Sequence, residues 1–140
     1  MTRIFVIVIL LTILSCDITS AEEASEANLR TALDELELAF NFHHLDEIMV
    51  HYSTEYLHNG DDWEDVELDW NIRLNDFQEM ELENVVMDIG DGRATVSFNR
   101  RFLNNSIMEE VLIDPEENGD MSFWEREFDE WKIIGNKKIY

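Results

Sequence analysis

The feature that most constrains this chain is a single change of hydrophobic period at Phe77. Before it, Leu29, Leu33, Leu36 and Phe40 recur at steps of three and four residues, with Ala32 and Ala39 alongside, which is one face of an amphipathic helix over residues 22–42. Glu22, Glu23 and Glu26 cluster in its first turn, where carboxylates complement the helix dipole. Leu45, Ile48, Met49 and Tyr52 continue the spacing in a second, shorter helix, and Trp63, Val66, Trp70, Leu74 and Phe77 line a third. After Phe77 the pattern alternates, so segments 78–89, 93–103, 106–113, 121–128 and 131–137 read as strands. A chain that changes period once in this way is expected to stack its helices on one face of a sheet, an α+β fold with three N-terminal helices on a curved antiparallel sheet.

The separators sharpen that expectation. Gly90-Asp91-Gly92, Asn104-Asn105 and Glu117-Asn118-Gly119-Asp120 are turn sequences of the kind that tolerate positive φ, so four consecutive hairpin connections are expected, the last at Asp129-Glu130. Asn59-Gly60 is a further turn, and Asp61 with Glu64 has the spacing of a capping box opening the third helix. A two-residue loop at Asn104-Asn105 pairs Phe102 with Ile107, Arg100 with Glu109, Phe98 with Val111 and Val96 with Ile113. The preceding hairpin then pairs Ile89 with Arg93, Val86 with Val96 and Leu82 with Arg100, and the last pairs Phe128 with Trp131, Trp124 with Gly135 and Glu127 with Lys132. In this register Arg100 and Glu109 face each other on the apolar side of the sheet. A charge pair there loses hydration and calls for a reason: a structural ion pair, a register device, or contact with a ligand.

Composition narrows function more by exclusion than by indication. With 32 acids against 10 bases and a formal charge of −22 over 140 residues, the chain lacks the cationic surface that phosphate backbones require, so no nucleic-acid partner is expected. Arg3 followed by an apolar run over residues 4–14 has the form of a signal-peptide core and is too short to span a bilayer. Thr19-Ser20-Ala21 offers ordinary cleavage before Glu22, while Ile13-Leu14-Ser15-Cys16 resembles a bacterial lipobox in which Cys16, the single cysteine, is lipidated. The expected targeting segment is residues 1–21, or a lipoprotein signal that ends before Cys16, followed by one domain over 22–140; the lipobox reading is favoured, which gives a periplasmic protein that meets the membrane only through its signal or lipid anchor. No disulfide is available to the mature chain, so stability rests on packing.

Residues 43–60, a short helix running into a brief extended segment that carries Tyr56 and His58, complete the architecture. A long helix, a short helix leading into a brief strand, a third helix after a turn, and then a curved antiparallel sheet resembles the nuclear transport factor 2-like fold, the cystatin-like roll shared by steroid isomerases and polyketide cyclases. The likeness is carried by Leu45-Asp46, Tyr52-Ser53, Tyr56-Leu57-His58-Asn59-Gly60, the hairpin at Gly90-Asp91-Gly92-Arg93-Ala94-Thr95-Val96, and the closing Trp131-Lys132-Ile133-Ile134-Gly135-Asn136. It covers essentially all of the mature chain. The resemblance implies a conical cavity between helices and sheet. Carried over from the steroid isomerases, the oxyanion-stabilising tyrosine falls at Leu36 and the general-base aspartate near Gly60, and neither residue has that chemistry; Asp61 and Asp62 lie close but serve as helix caps, and Glu109 is a loose match to an acid on a strand.

The remaining candidate acid or base is His58, with Tyr56 on the same strand face as a hydrogen-bond donor. His43, His44 and His51 have no ligand spacing with one another or with a cysteine, so neither a metal nor any other cofactor is expected. Three functions are open to such a chain. The first, and the one preferred, is non-catalytic binding of a small apolar or mixed ligand, or an accessory role, with a pocket lined by Tyr56, His58, Trp70, Arg100, Glu109 and Trp124. The second is a small lyase or isomerase using His58. The third is a structural module that forms a homodimer through the outer face of its sheet. Convergence of His58, Arg100 and Glu109 in one open cavity would favour the first two, and an interior filled by Trp and Phe the third.

Overall fold

The computed structural model describes the backbone of residues 2–138 and the side chains of residues 21–138. The expected targeting segment, including Cys16, lies almost wholly outside the residues whose side chains are described. Among the described residues no helix is long and apolar enough to cross a membrane.

Helix α1 (Thr2–Asn41) buries Leu29, Leu33, Leu36 and Phe40, with Ala32 and Ala39 beside them, which is the stripe read from the sequence. Its last turns also serve the sheet. Asn41 Oδ1 accepts from the Met80 amide at 2.7 Å, its Nδ2 donates to the Met80 carbonyl, and Glu37 Oε2 accepts from the Leu82 amide at 2.8 Å. Side chains of the helix thus satisfy backbone groups that an edge strand would otherwise leave open. Helix α2 (Leu45–Met49) buries Ile48 and Met49, and Tyr52 then forms a parallel bridge with Ile133. Strands β1 (Leu57–His58) and β2 (Asp61–Asp62) close on Asn59-Gly60, both at positive φ, as a two-residue turn of this sequence requires.

Helix α3 (Trp63–Asp76) begins one residue later than its capping signal suggested. Asp61 is taken up opposite His58 in the small hairpin, so Asp62 is the cap: it accepts from the Glu64 and Asp65 amides while the Asp65 carboxylate accepts from the Asp62 amide. Val66, Trp70 and Phe77 are buried.

The main sheet comprises β3 (Glu79–Ile89), β4 (Arg93–Leu103), β5 (Met108–Ile113), β6 (Phe123–Glu127) and β7 (Glu130–Ile133). All pairings are antiparallel, in the order β3-β4-β6-β7, with β5 and β6 sharing one edge of β4. The expected succession of four hairpins is therefore corrected to three. Segment 114–122 joins β5 to β6 as a folded loop, held by bonds from the Gly119 amide to the Asp114 carbonyl and from the Val96 amide to the Ser122 carbonyl, with Met121 and Ser122 turned fully inward.

Three registers also differ from the sequence reading. In β3–β4 the expected Leu82–Arg100 pair is present, but a bulge at Asn84 and Val85, with Asn84 at φ 56°, shifts the remainder of β3 by one residue. Val86 then faces Ser97 and solvent, while Met87 takes the place opposite Val96. In β4–β5 the loop spans 104–107, because Asn104 Oδ1 accepts from both the Ser106 and Ile107 amides and the Asn104 amide bonds the Ile107 carbonyl. Arg100 consequently faces Val111, and Glu109 faces Phe102. In β6–β7 the turn is Phe128-Asp129, both at positive φ, so Trp124 pairs with Ile133 and Lys132 with Glu125.

Candidate functional site

Along β4 the residues that point inward are Ala94, Val96, Phe98, Arg100 and Phe102. Arg100 is the one charge in that series, and only 4% of it is exposed. Its guanidinium lies 5.2 Å from the Phe102 ring centroid and 5.8 Å from that of Trp70, within cation–π range. One nitrogen, Nη1, donates to Asp120 Oδ2 at 3.1 Å and lies 3.0 Å from the Met121 sulfur. Nε is buried without a hydrogen-bond partner among the described residues.

Asp120 is the residue around which the interior polar groups gather. Tyr56 donates to its backbone carbonyl at 3.4 Å, and its carboxylate raises the affinity of Tyr52, Tyr56 and His58 for a proton. Burial, the larger effect, pushes both phenols well above the usual tyrosine range, so they stay protonated donors. Tyr52 accepts from the Trp70 indole at 2.8 Å and packs edge-on against Tyr56, with ring centroids 5.2 Å apart.

Of the six residues expected to line a pocket, the structure brings Tyr56, His58, Trp70 and Arg100 to this neighbourhood. Trp124 lies beneath the 114–122 loop, its indole donating to the Met121 carbonyl at 2.7 Å. Glu109 stands apart. Its carboxylate accepts from Arg73 at 2.8 Å, so the expected Arg100–Glu109 pair is replaced by Arg100–Asp120 and Arg73–Glu109. The cause is the longer 104–107 loop, which slides β5 by two residues, preserving faces while changing partners.

His58 is held at Nδ1, which leaves the proton of the neutral ring on Nε2. Nδ1 accepts from the Asn136 amide at 3.3 Å, and Nε2 lies 3.1 Å from the Asn59 side-chain amide. Burial lowers its pKa, with Asp120 opposing in part, so the ring is neutral near pH 7. The sequence reading missed Asp120 because an acid after glycine in a loop looks like every other turn acid in a chain with 32 of them. The pattern alone does not reveal that the loop folds inward at that point.

The interior at the level of Phe102 is occupied by rings: Phe40 lies 5.1 Å, Phe77 5.3 Å and Trp70 6.1 Å from it by centroid. Leu36 is part of this packing, and Gly60 sits in the β1–β2 turn. Surface grooves of about 520 Å³ each occur elsewhere, one beside Thr31, His51, Trp131 and Lys132, the other beside Arg93, Phe123, Trp124 and Ile134. Among the described residues no three His, Cys, Asp or Glu side chains converge as metal ligands.

Solved structures share this fold. A Shewanella oneidensis nuclear transport factor 2-like protein of unknown function superposes with a TM-score of 0.62 at 15% identity, over 79% of this chain and 94% of that one. A Nostoc punctiforme protein of unknown function with a cystatin-like fold gives 0.58 at 9% identity, over 78% and 85%. The chain has the nuclear transport factor 2-like fold. Bd1075 of Bdellovibrio bacteriovorus gives a TM-score of 0.64 at 11% identity, over 82% of this chain but 40% of that one, so the fold is there part of a longer protein. No protein-family model and no curated protein matches this sequence. At these identities the likeness establishes the nuclear transport factor 2-like roll, and function has to be argued from the site.

Proposed function

We propose that this chain is a non-catalytic, extracytoplasmic binding domain whose ligand contacts the polar cluster around Arg100 and Asp120. The observation that carries this reading is the buried guanidinium itself. A core that needed only packing gains nothing from a cation whose Nε has no acceptor among the described residues, whereas a binding site uses such a group to fix a polar ligand. The lone-pair nitrogen of the neutral His58 ring, Nδ1, is taken by the Asn136 amide, which supports binding over proton transfer, because a general base needs a free nitrogen facing its substrate. The apolar run over residues 4–14 and Cys16 after it support the location, and the occurrence of the fold within a longer neighbour supports an accessory role.

The test is native mass spectrometry of the purified chain after exposure to a lipid and metabolite extract, with His58→Ala alongside. Both proteins are expected to retain the same small molecule chemically unchanged. A product that wild type forms and the variant does not would move the assignment to an enzyme.

A second reading is favoured by the ring-filled interior: a structural module that pairs with a second copy through the outer face of the sheet, where Val86, Met108 and Leu112 are exposed. Sedimentation equilibrium of wild type and Leu112→Glu tests it. A dimer that the substitution dissociates supports this reading, and a wild-type monomer at high salt, where the −22 charge is screened, removes it.

A further inference from the structure

The ion pair at the centre of the site is incomplete in a specific way. An arginine fork can hold a carboxylate through two parallel bonds, and a pair built solely for stability in an apolar interior is strongest when it does. Here Asp120 takes one prong, through Nη1, a methionine sulfur lies against the same nitrogen, and Nε is buried without an acceptor among the described residues. The partner is also the loosest member of the cluster, since the Asp120 side chain is 32% exposed while that of Arg100 is 5% exposed.

The backbone beneath Asp120 is fixed, in contrast to its side chain. Met121 and Ser122 are fully buried, and Tyr56 bonds the Asp120 carbonyl. Gly119 is so closely surrounded that a β-carbon there would meet Ser122 Oγ at 2.6 Å and the Asp114 nitrogen at 2.8 Å. The loop therefore stays in place when the Asp120 carboxylate rotates outward. That rotation would free Nη1 of a buried guanidinium that lies over the Trp70 and Phe102 rings, with the Tyr56 hydroxyl bonded to the backbone carbonyl of the same Asp120.

We infer that the Arg100 site takes the carboxylate of a small organic acid, and that Asp120 is the intramolecular occupant it displaces. This rests on the reading of the chain as a binding domain and names the class of its ligand. The acid enters head first where Asp120 meets solvent, needs no larger cavity, and leaves its apolar remainder near Tyr56 and His58. An amide or alcohol of the same shape is rejected because it brings no charge to offset the buried cation.

The closing experiment uses matched probes. Asp120→Ala is expected to melt below wild type and to recover saturably with acetate at constant ionic strength, but not with acetamide or chloride, and the response should vanish when Arg100→Met is added. Benzoate should bind wild type and bind Asp120→Ala at least tenfold more tightly, with benzamide inert toward both. If Asp120→Ala does not fold, Asp120→Asn takes its place and should bind benzoate more tightly than wild type does. Acetate acting no better than acetamide, a response that survives Arg100→Met, or benzoate binding only the variant would each overturn the inference. Should benzamide or decanol bind wild type and Arg100→Met equally, the binding-domain reading stands and the carboxylate class falls. Should no probe bind any form, both fall.

Discussion

Glu109 accepts a hydrogen bond from Arg73 at 2.8 Å, and so α3 claims the acid that strand alternation would have given to Arg100. That contact ties the third helix to the edge strand and leaves the central guanidinium to a carboxylate from the 114–122 loop. The two ion pairs are separate in kind. Arg73–Glu109 is partly exposed at both ends, whereas Arg100–Asp120 places one partner almost wholly out of water.

Their removal should therefore be unequal. Glu109→Gln is expected to cost no more than about 1 kcal/mol, the range of exposed pairs. Asp120→Asn strands a buried cation and should cost about 2 kcal/mol, reduced from the cost of a fully buried pair by the partial exposure of Asp120. Arg100→Met, which removes the charge and keeps the volume, should be close to neutral, and adding it to Asp120→Asn should recover most of the loss. Urea denaturation of the four proteins checks the cycle; additive effects at Arg100 and Asp120 would show that the pair carries no coupling.

Gly135 fastens the C-terminal segment to β1. It sits at φ 69°, and a β-carbon there would lie 2.3 Å from the Leu57 carbonyl oxygen and 2.9 Å from the His58 β-carbon. Gly92 has a similar φ of 73° with nothing within 4 Å. Alanine at position 92 thus meets only the conformational cost, about 1 kcal/mol, while Gly135→Ala should lose roughly 3 kcal/mol or more because backbone must move. Thermal denaturation of the pair separates the two effects, and equal losses would contradict the close approach.

The acid limb of stability should carry the signature of His51. Burial, followed by Lys132, lowers its pKa from 6.5 to about 4, with Glu130 opposing. Its folded-state pKa lies below its unfolded value, so the unfolded chain takes up the proton first as pH falls. The contribution is therefore whole above about pH 6.5 and is lost progressively toward pH 4. Between pH 7 and 5 wild type should lose about 2 kcal/mol that His51→Gln does not. The burial-lowered pKa of His58 acts in the same direction, so it persists in the variant and cancels from the difference. An NMR titration in which the His51 ring protonates near pH 6.5 would refute the assignment.

Much of the fold was legible because it depends on periodicity. The Leu29, Leu33, Leu36, Phe40 stripe and the full extent of β4 are one-dimensional signals, and the structure realises both. The features that escaped reading depend on single side chains acting at turns. Asn104 captures two amides and lengthens one loop, and Asn84 enters the left-handed region and inserts a bulge. Asp62 rather than Asp61 caps α3, because the preceding hairpin uses Asp61 first. Each is a choice among chemically similar neighbours, made by tertiary context. The site obeyed the same logic: Arg100 stood out as a charge on an apolar face, while Asp120 did not, because its loop had to fold inward before its carboxylate meant anything.

The β6–β7 turn offers a stabilising change that tests the corrected register. Phe128 and Asp129 occupy its two central positions at φ 50° and 69°, the geometry for which Asn-Gly is the favoured pair. Phe128 is fully exposed and gains no burial to offset its place in the left-handed region, which a bulky residue adopts only at a cost. Phe128→Asn with Asp129→Gly should therefore raise stability by about 1 kcal/mol, and the loss of the exposed Arg126–Asp129 pair should take back only a few tenths. Were the turn instead at Asp129-Glu130, as alternation alone suggested, the same double substitution would place a glycine at its first position and an asparagine in the strand before it. Stability would then fall or stay level, so the sign of the change in urea midpoint distinguishes the two registers.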